Sequence, residues 1–304
     1  MQNFIMKTLF DRNKDIHRTL KPVRHGHMSG VHFGDITQPV KLVFLHSTGF
    51  HALSYRTLLE GLGVHVLALD LRGHGHSELP IENISFASFR LHARDVIAYL
   101  EQYIEGSVIL CGHSMGASTA ILAAEMAPHK VSKVLAFDPV VLPLSARLIM
   151  STRAGRNFMK TRFPIARATG RRRNWFSSQE SAFERFRGRG TFKQFSDEAL
   201  WDYVSGGLIP HIKDGQDGFK LACQPHWEQF TYVAQGHNMK KAITKLPRGS
   251  HIQLTNFVKS VDWIPKMVKK CPHIRIEHFP DADHFFPLIN PEISQPALHE
   301  ILEE

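Results

Sequence analysis

Residues 107–118 read SVILCGHSMGAS: an apolar run through Leu110, then Gly112, Ser114 and Gly116 at alternate positions, with a small-residue stretch behind them. G-x-S-x-G placed after a strand and ahead of a helix is the pattern of a nucleophile elbow. The turn it needs is so tight that its flanks must lack bulky side chains, and Gly112 and Gly116 supply that. Such a turn lifts the Ser114 hydroxyl above the strand ends and points the following helix N-terminus at developing negative charge. Strand before and alanine-rich helix after (Gly116–Pro128) are both expected here, so Ser114 reads as a nucleophile.

A serine at its free pKa is a poor nucleophile and needs a base. In elbow-bearing proteins the chain order is serine, acid, histidine. The chain has 20 histidines, so position must choose among them. His284 stands in PDADHFFP, just after the last apolar run; His237, His251, His273 and His278 fall in helical, strand or pre-strand positions. An oxyanion hole is expected from the loop after an earlier strand, LHSTGF (Leu45–Phe50). Its two donors are expected to be the backbone N–H groups of Thr48 and Met115, with His46 ordering the loop rather than reacting.

Outward from the elbow, six short and nearly continuous apolar runs read as buried parallel strands: residues 41–46, 65–70, 107–112, 133–138, 251–257 and 275–279. Helical patterns separate them, as in SFRLHARDVIAYLEQYI (Ser88–Ile104). The alternation predicts an α/β fold with a mostly parallel, doubly wound sheet. The rhythm breaks between Pro143 and Asp217, which reads mostly as helix. The expected organisation is a core of residues 1–142 and 218–304 with a helical lid, residues 143–217, inserted over the sheet's carboxyl edge.

Composition narrows the class. The 304 residues carry 37 Lys and Arg against 28 Asp and Glu. Fifteen of the basic and seven of the acidic residues lie between Val141 and Lys220, including GRRRNWF (Gly170–Phe176). Such a basic, aromatic stretch is able to meet nucleic acid or a membrane surface, but without a nucleic-acid-binding motif it reads as a solvated helical face with ion pairs, and no nucleic-acid partner is expected. Cys111, Cys223 and Cys271 are scattered and form no C-x-x-C pair, which predicts neither a disulfide framework nor a metal site. No secretory leader and no apolar run long enough to span a membrane is read, so a cytoplasmic protein without metal or cofactor is expected.

HSTGF, LDLRGHGHS (Leu69–Ser77), GHSMG, FDPV (Phe137–Val140) and DADHFFP occur in an order and spacing that resembles the α/β-hydrolase superfamily, over about residues 30 to 290. The resemblance implies a serine hydrolase that cleaves a carboxylic ester or related acyl bond through an acyl-enzyme. Acyl transfer, carbon–carbon bond hydrolysis and a non-catalytic ligand-binding relative are the alternatives. Ser47 stands where many relatives have glycine, and Asp70 and Arg72 are expected to brace the loop beside the site. The acid is left with two candidates. Relatives commonly carry it beyond the penultimate strand, where this chain has Val258, Lys259 and Ser260 and then Asp262 in SVDWIPKMV, also a candidate helix cap. Some carry it one strand earlier, which selects Asp138. Lid aromatics such as Phe158, Trp175, Phe186 and Phe192 are expected mainly in the lid's own packing. Where they face the pocket, they imply a small-molecule substrate with an apolar acyl or aryl group.

Overall fold

The computed structural model describes Leu9 and residues 11–13, 15–82, 86–257 and 262–303. Val258–Ser260, part of the turn weighed for the acid, lie outside the described residues. Eight strands form one sheet in the order β1-β2-β4-β3-β5-β6-β10-β11. They are β1 (Arg18–Val23), β2 (Gly26–Phe33), β3 (Leu42–Leu45), β4 (Val66–Leu69), β5 (Val108–His113), β6 (Val131–Phe137), β10 (His251–Leu254) and β11 (Arg275–His278). From β4 to β11 every pairing is parallel; β1 and β2 add on antiparallel. All six expected strands are present. β1 and β2 are not among the strands read from the sequence: β1 is an exposed edge strand interrupted by Pro22, and β2, though mostly buried, carries two glycines, two histidines and a serine among its eight residues, so it makes no apolar run.

Alternation explains why the central strands look uniformly apolar. Val43, Leu67, Leu110, Val134 and Ile252 pack on one face of the sheet, with Val96 and Leu100 of α2 (Arg90–Tyr103) and Ile121 of α3 (Met115–Met126). Phe44, Ala68, Cys111, Leu135 and Phe137, one residue out of step, pack on the other, with Leu58 of α1 (Arg56–Leu59) and Leu298 and Ile301 of α13 (Pro291–Glu303). Both faces are therefore dry. The fold class read from the sequence, a doubly wound α/β sheet, is the one found.

Between β6 and β10 lie α4 (Leu144–Ser151), α5 (Arg153–Arg162), α6 (Pro164–Thr169), α7 (Gln179–Phe186), α8 (Asp197–Gly207), α9 (Pro225–Val233) and α10 (Met239–Ile243). The stretch is not helix alone. β7 (Trp175–Phe176), β8 (Leu208–Pro210) and β9 (Phe219–Leu221) form a small antiparallel sheet with β9 in the middle. Strands of two or three residues are too short to leave a period in the sequence, and the central one lies beyond residue 217. The remaining helices are α11 (Ile264–Lys270) and α12 (Phe286–Ile289). Among the described residues no helix is long and apolar enough to cross a membrane.

Five buried histidines hold the fold in a pH-dependent state. Burial lowers His46 and His51 to about 4, and His74, His113 and His237 to about 3. Their folded-state values lie below the unfolded value of about 6.5, so the unfolded chain binds more protons throughout the interval between. Stability is then full above about pH 6.5 and falls as pH drops, each histidine contributing a slope of up to about 1.4 kcal/mol per pH unit. Urea unfolding at pH 7.5, 6 and 5 is expected to show a loss steeper than a single proton produces; a flat profile would contradict neutral burial of this set.

Candidate active site

The residue between the two glycines is held where few side chains go. Ser114 has φ 55° and ψ −110°, a strained conformation of the kind that costs about 1–3 kcal/mol and persists only where surroundings enforce it. Its amide donates to Phe137 O at 2.8 Å, continuing the β5–β6 ladder one step past the strand. A Cβ on Gly112 would stand 2.5 Å from the Gly116 carbonyl carbon, and one on Gly116 would stand 2.0 Å from Leu45 O. Each glycine is thus required by a backbone, not by a movable side chain. α3 begins at Met115, so the Met115 N–H is one of the helix's orphan donors.

β6 ends beside the elbow, and the next residue is Asp138, whose amide donates to Gln253 O at 2.7 Å. Register carries this forward: His113 pairs with Phe137, and Phe137 with Gln253. The Asp138 carboxylate therefore rises in the notch between β6 and β10. There Thr255 gives it two donors, its amide to Oδ1 at 2.9 Å and its hydroxyl to Oδ2. His284, on the loop after β11, donates Nδ1–H to Asp138 Oδ2 at 2.7 Å, and its Nε2 lies 3.0 Å from Ser114 Oγ. With Nδ1 committed as donor to a carboxylate, Nε2 of the neutral ring is the acceptor for the serine hydroxyl. Burial alone would raise the Asp138 pKa; the bond and charge of His284 with the Thr255 donors hold it below the ordinary carboxylate value. All three side chains are nearly buried.

Of the two acids weighed from the sequence, Asp138 is the one beside His284. Asp262 is exposed, in a turn ahead of α11, and Trp263 rather than Asp262 occupies that helix's cap position. The loop carrying Thr48 leaves β3 next to the elbow, since Leu45 pairs with Gly112. The order in which strands are added reverses at β3, with β4 to one side and β5 to the other, which is the switch point where α/β sheets open a crevice.

Buried polar groups fix this crevice. His46 donates Nδ1–H to Ser47 O at 2.8 Å and accepts the Leu71 amide at Nε2 at 2.8 Å, tying the loop after β3 to the loop after β4. Asp70 accepts Ala52 N–H, His76 N–H and the Arg18 guanidinium. Burial would raise its pKa, but Arg18 and its histidine neighbours hold it well below the carboxylate range. Arg72 grips Asp95 with two 2.7 Å bonds. His113, the residue before Ser114, went unread in the sequence. Its Nε2–H donates to His284 O at 2.8 Å and its Nδ1 accepts Tyr55 O–H at 2.6 Å, while Tyr55 also accepts the Ser47 amide.

Two further groups at the site were not singled out. Arg172, from the GRRRNWF stretch, is not a solvated charge. It donates to Glu228 Oε2 at 2.8 Å and to Tyr203 Oη at 2.9 Å. Glu228 backs directly onto the oxyanion-hole candidate loop: a Cβ on Gly49 would stand 2.4 Å from its Oε1. Burial pushes Glu228 up despite Arg172. Phe257 stacks on the His284 ring, centroids 3.7 Å apart and planes 16° from parallel. Neither carries a local motif, since both act through contacts made across the fold. Phe50, next in the loop, meets Phe195, Phe285 and Tyr203 at ring separations of 5.2–6.0 Å, an aromatic wall beside His284.

The sequence profile of the alpha/beta hydrolase family matches residues 42–293. An esterase of Mycobacterium tuberculosis is 32% identical over 133 residues, 43% of each chain. Monoglyceride lipase of Mus musculus is 35% identical over 112 residues, 34% of this chain and 36% of its own. The chain thus spans less than half the length of each of these relatives. The crystal structure of E-2-(acetamidomethylene)succinate hydrolase superposes with a TM-score of 0.72 at 18% identity, over 95% of this chain and 100% of that one, a likeness of fold. With the profile covering the sheet from β3 to the helix after His284, the chain belongs to the alpha/beta hydrolase family.

Proposed function

We propose that the protein is a serine hydrolase cleaving a carboxylic ester or related acyl bond, with Ser114 as nucleophile, His284 as general base and Asp138 as the acid that orients it. The observation that carries this reading is the pair of bonds on one imidazole, 3.0 Å to Ser114 Oγ and 2.7 Å to Asp138 Oδ2. As Ser114 Oγ attacks the acyl carbon, its proton passes to His284 Nε2, and Asp138 stabilises the imidazolium without taking a proton. The Thr48 and Met115 amides receive the oxyanion. His284 then returns the proton to the leaving alkoxide, so the alcohol departs and the acyl group stays on Ser114. Water, deprotonated by His284, reverses the sequence to release the acid.

The inserted segment, residues 143–217 with β9, serves in this reading as a lid above the strand ends. The Phe50–Phe195–Phe285 wall supports an apolar acyl or aryl group on the substrate. That a named esterase and a monoglyceride lipase are among the relatives supports an ester over other acyl bonds.

Labelling with a fluorophosphonate probe and turnover of short- and medium-chain activated esters test the assignment. Ser114→Ala is expected to abolish both, and Asp138→Asn to lower kcat by about 10⁴-fold, while Asp262→Asn stays near wild type. A folded wild type that neither labels nor turns over ester would overturn the reading. Arg172→Met leaves Glu228 buried and uncompensated behind Gly49, so kcat is expected to fall by about 10- to 100-fold through a displaced oxyanion loop. Adding Glu228→Gln to it should restore much of that loss; a deeper loss in the double variant would show that the pair acts elsewhere.

A further inference from the structure

Between Pro139 and Gln179 the chain carries nine Lys or Arg and no Asp or Glu. Two of the nine are spoken for inside the fold: Arg172 pairs with Glu228, and Arg156 donates to the carbonyls of Met150 and Ser151 at the end of α4. Arg153, Arg162, Arg167 and Arg171 are exposed, and among the described residues neither they nor Arg147 sit in an ion pair. The same short region exposes large apolar side chains. Leu144 is 60%, Leu148 58% and Ile149 43% exposed on α4, and Phe158 is 55% exposed on α5. These are four of the nine large hydrophobic side chains found exposed among the described residues.

The arrangement is directional. Leu144 and Leu148 are one helical turn apart on the same side of α4 with Ile149 beside them, whereas Met150 turns inward and is buried. On α5 the Arg162 guanidinium lies over the Phe158 ring, 5.5 Å from its centroid. A helix pair that merely faced water would place charge where Leu148 and Ile149 stand. Here exposed apolar side chains share two successive helices with arginines that, among the described residues, sit in no ion pair, and Arg162 lies directly over Phe158.

We propose that α4 and α5 form a docking surface for an anionic lipid bilayer, the ridge Leu144–Leu148–Ile149 and Phe158 entering the headgroup and acyl boundary while Arg147, Arg153 and Arg162 bind lipid phosphates. Amphipathic helices held this way combine buried apolar area with attraction to anionic headgroups. A nucleic acid would satisfy the arginines and leave the leucines in water, so the apolar ridge decides for lipid. α4 begins six residues after Asp138, so the bilayer meets the molecule at the carboxyl edge of the sheet, the edge that carries Ser114. Docking by this face does not depend on the chemistry at Ser114.

The test is co-sedimentation of the full chain with phosphatidylcholine vesicles, with and without about 30% phosphatidylserine. Wild type is expected to partition onto the anionic vesicles at least about 10-fold more strongly than onto neutral ones, with the excess reduced by raising salt. Leu148→Ser with Phe158→Ser, and separately Arg147→Gln with Arg153→Gln and Arg162→Gln, should each lose most of that binding. Lys269→Gln with Lys270→Gln on α11, exposed cations elsewhere, should not. Circular dichroism and fluorophosphonate labelling report whether each variant is folded. No enrichment of wild type on anionic vesicles overturns the proposal. So does wild-type binding by the Leu148/Phe158 variant, which would make the attraction a charge effect open to any polyanion, or equal loss in the α11 variant. A wild type that binds vesicles but is never labelled would instead refute the serine-hydrolase reading and leave the docking surface standing.

Discussion

The structure turns on one steric constraint: the backbone at the end of β5 must reverse within two residues while packing against the end of β3. Gly116 lies so close to the Leu45 carbonyl that even a methyl group is excluded, and this contact fixes Ser114 at a positive φ. The same contact sets the distance between the elbow and the loop carrying Thr48. Ser114 and the proposed oxyanion donors are therefore related by one backbone approach rather than by a movable side chain.

Ser114 and Asp138 are aligned by continuing strand ladders past the ends of strands. Ser114 and Asp138 both donate their amides to the neighbouring strand, to Phe137 and Gln253, so their side chains leave the sheet at matched heights. Asp138 shares with Ser114 a left-handed φ that few non-glycine residues adopt, 47° and 55°. Two strained residues on adjacent strands are tolerated because the sheet beneath them is dry on both faces. His284 cannot be placed by a ladder, since it sits on a loop. Its carbonyl accepts from His113, its ring bonds Asp138 and its face is covered by Phe257. A loop residue is thus held from three directions.

What the sequence made legible follows from the range of each interaction. The elbow, the central strands and α2 and α3 are local patterns: small residues at fixed offsets, apolar runs, helical spacing. They could be read because the physics that produces them acts within a few residues. His284 was reachable through its position after the last strand. The choice between Asp138 and Asp262 was not, because both satisfy chain order and only the β6–β10 pairing brings Asp138 beside the imidazole. β1 and β2 leave no apolar run, β1 because it is an exposed edge strand and β2 because glycines, histidines and a serine interrupt its apolar residues. Arg172 forms one of the ion pairs expected for the basic stretch, but nothing near it in sequence announces its partner Glu228, 56 residues further on.

That pairing exposes a division within the inserted segment. Its arginines look alike in sequence, yet the fold gives them opposite fates. Arg172 is drawn inward, where it pairs with Glu228, a carboxylate whose pKa burial raises, next to the loop carrying Gly49. Removing one partner of such a buried pair leaves the other without its hydrogen bonds, which is costly. Arg153 and Arg162 of α5 are exposed beside exposed apolar side chains, with no acid between Asp138 and Glu180 to neutralise them. A segment that only sealed the crevice would gain nothing from that outward imbalance and would carry the cost of exposed leucines. The two arginine populations are the inner and outer faces of one segment, one paired within the fold beside the proposed site and the other on the face proposed to dock a bilayer.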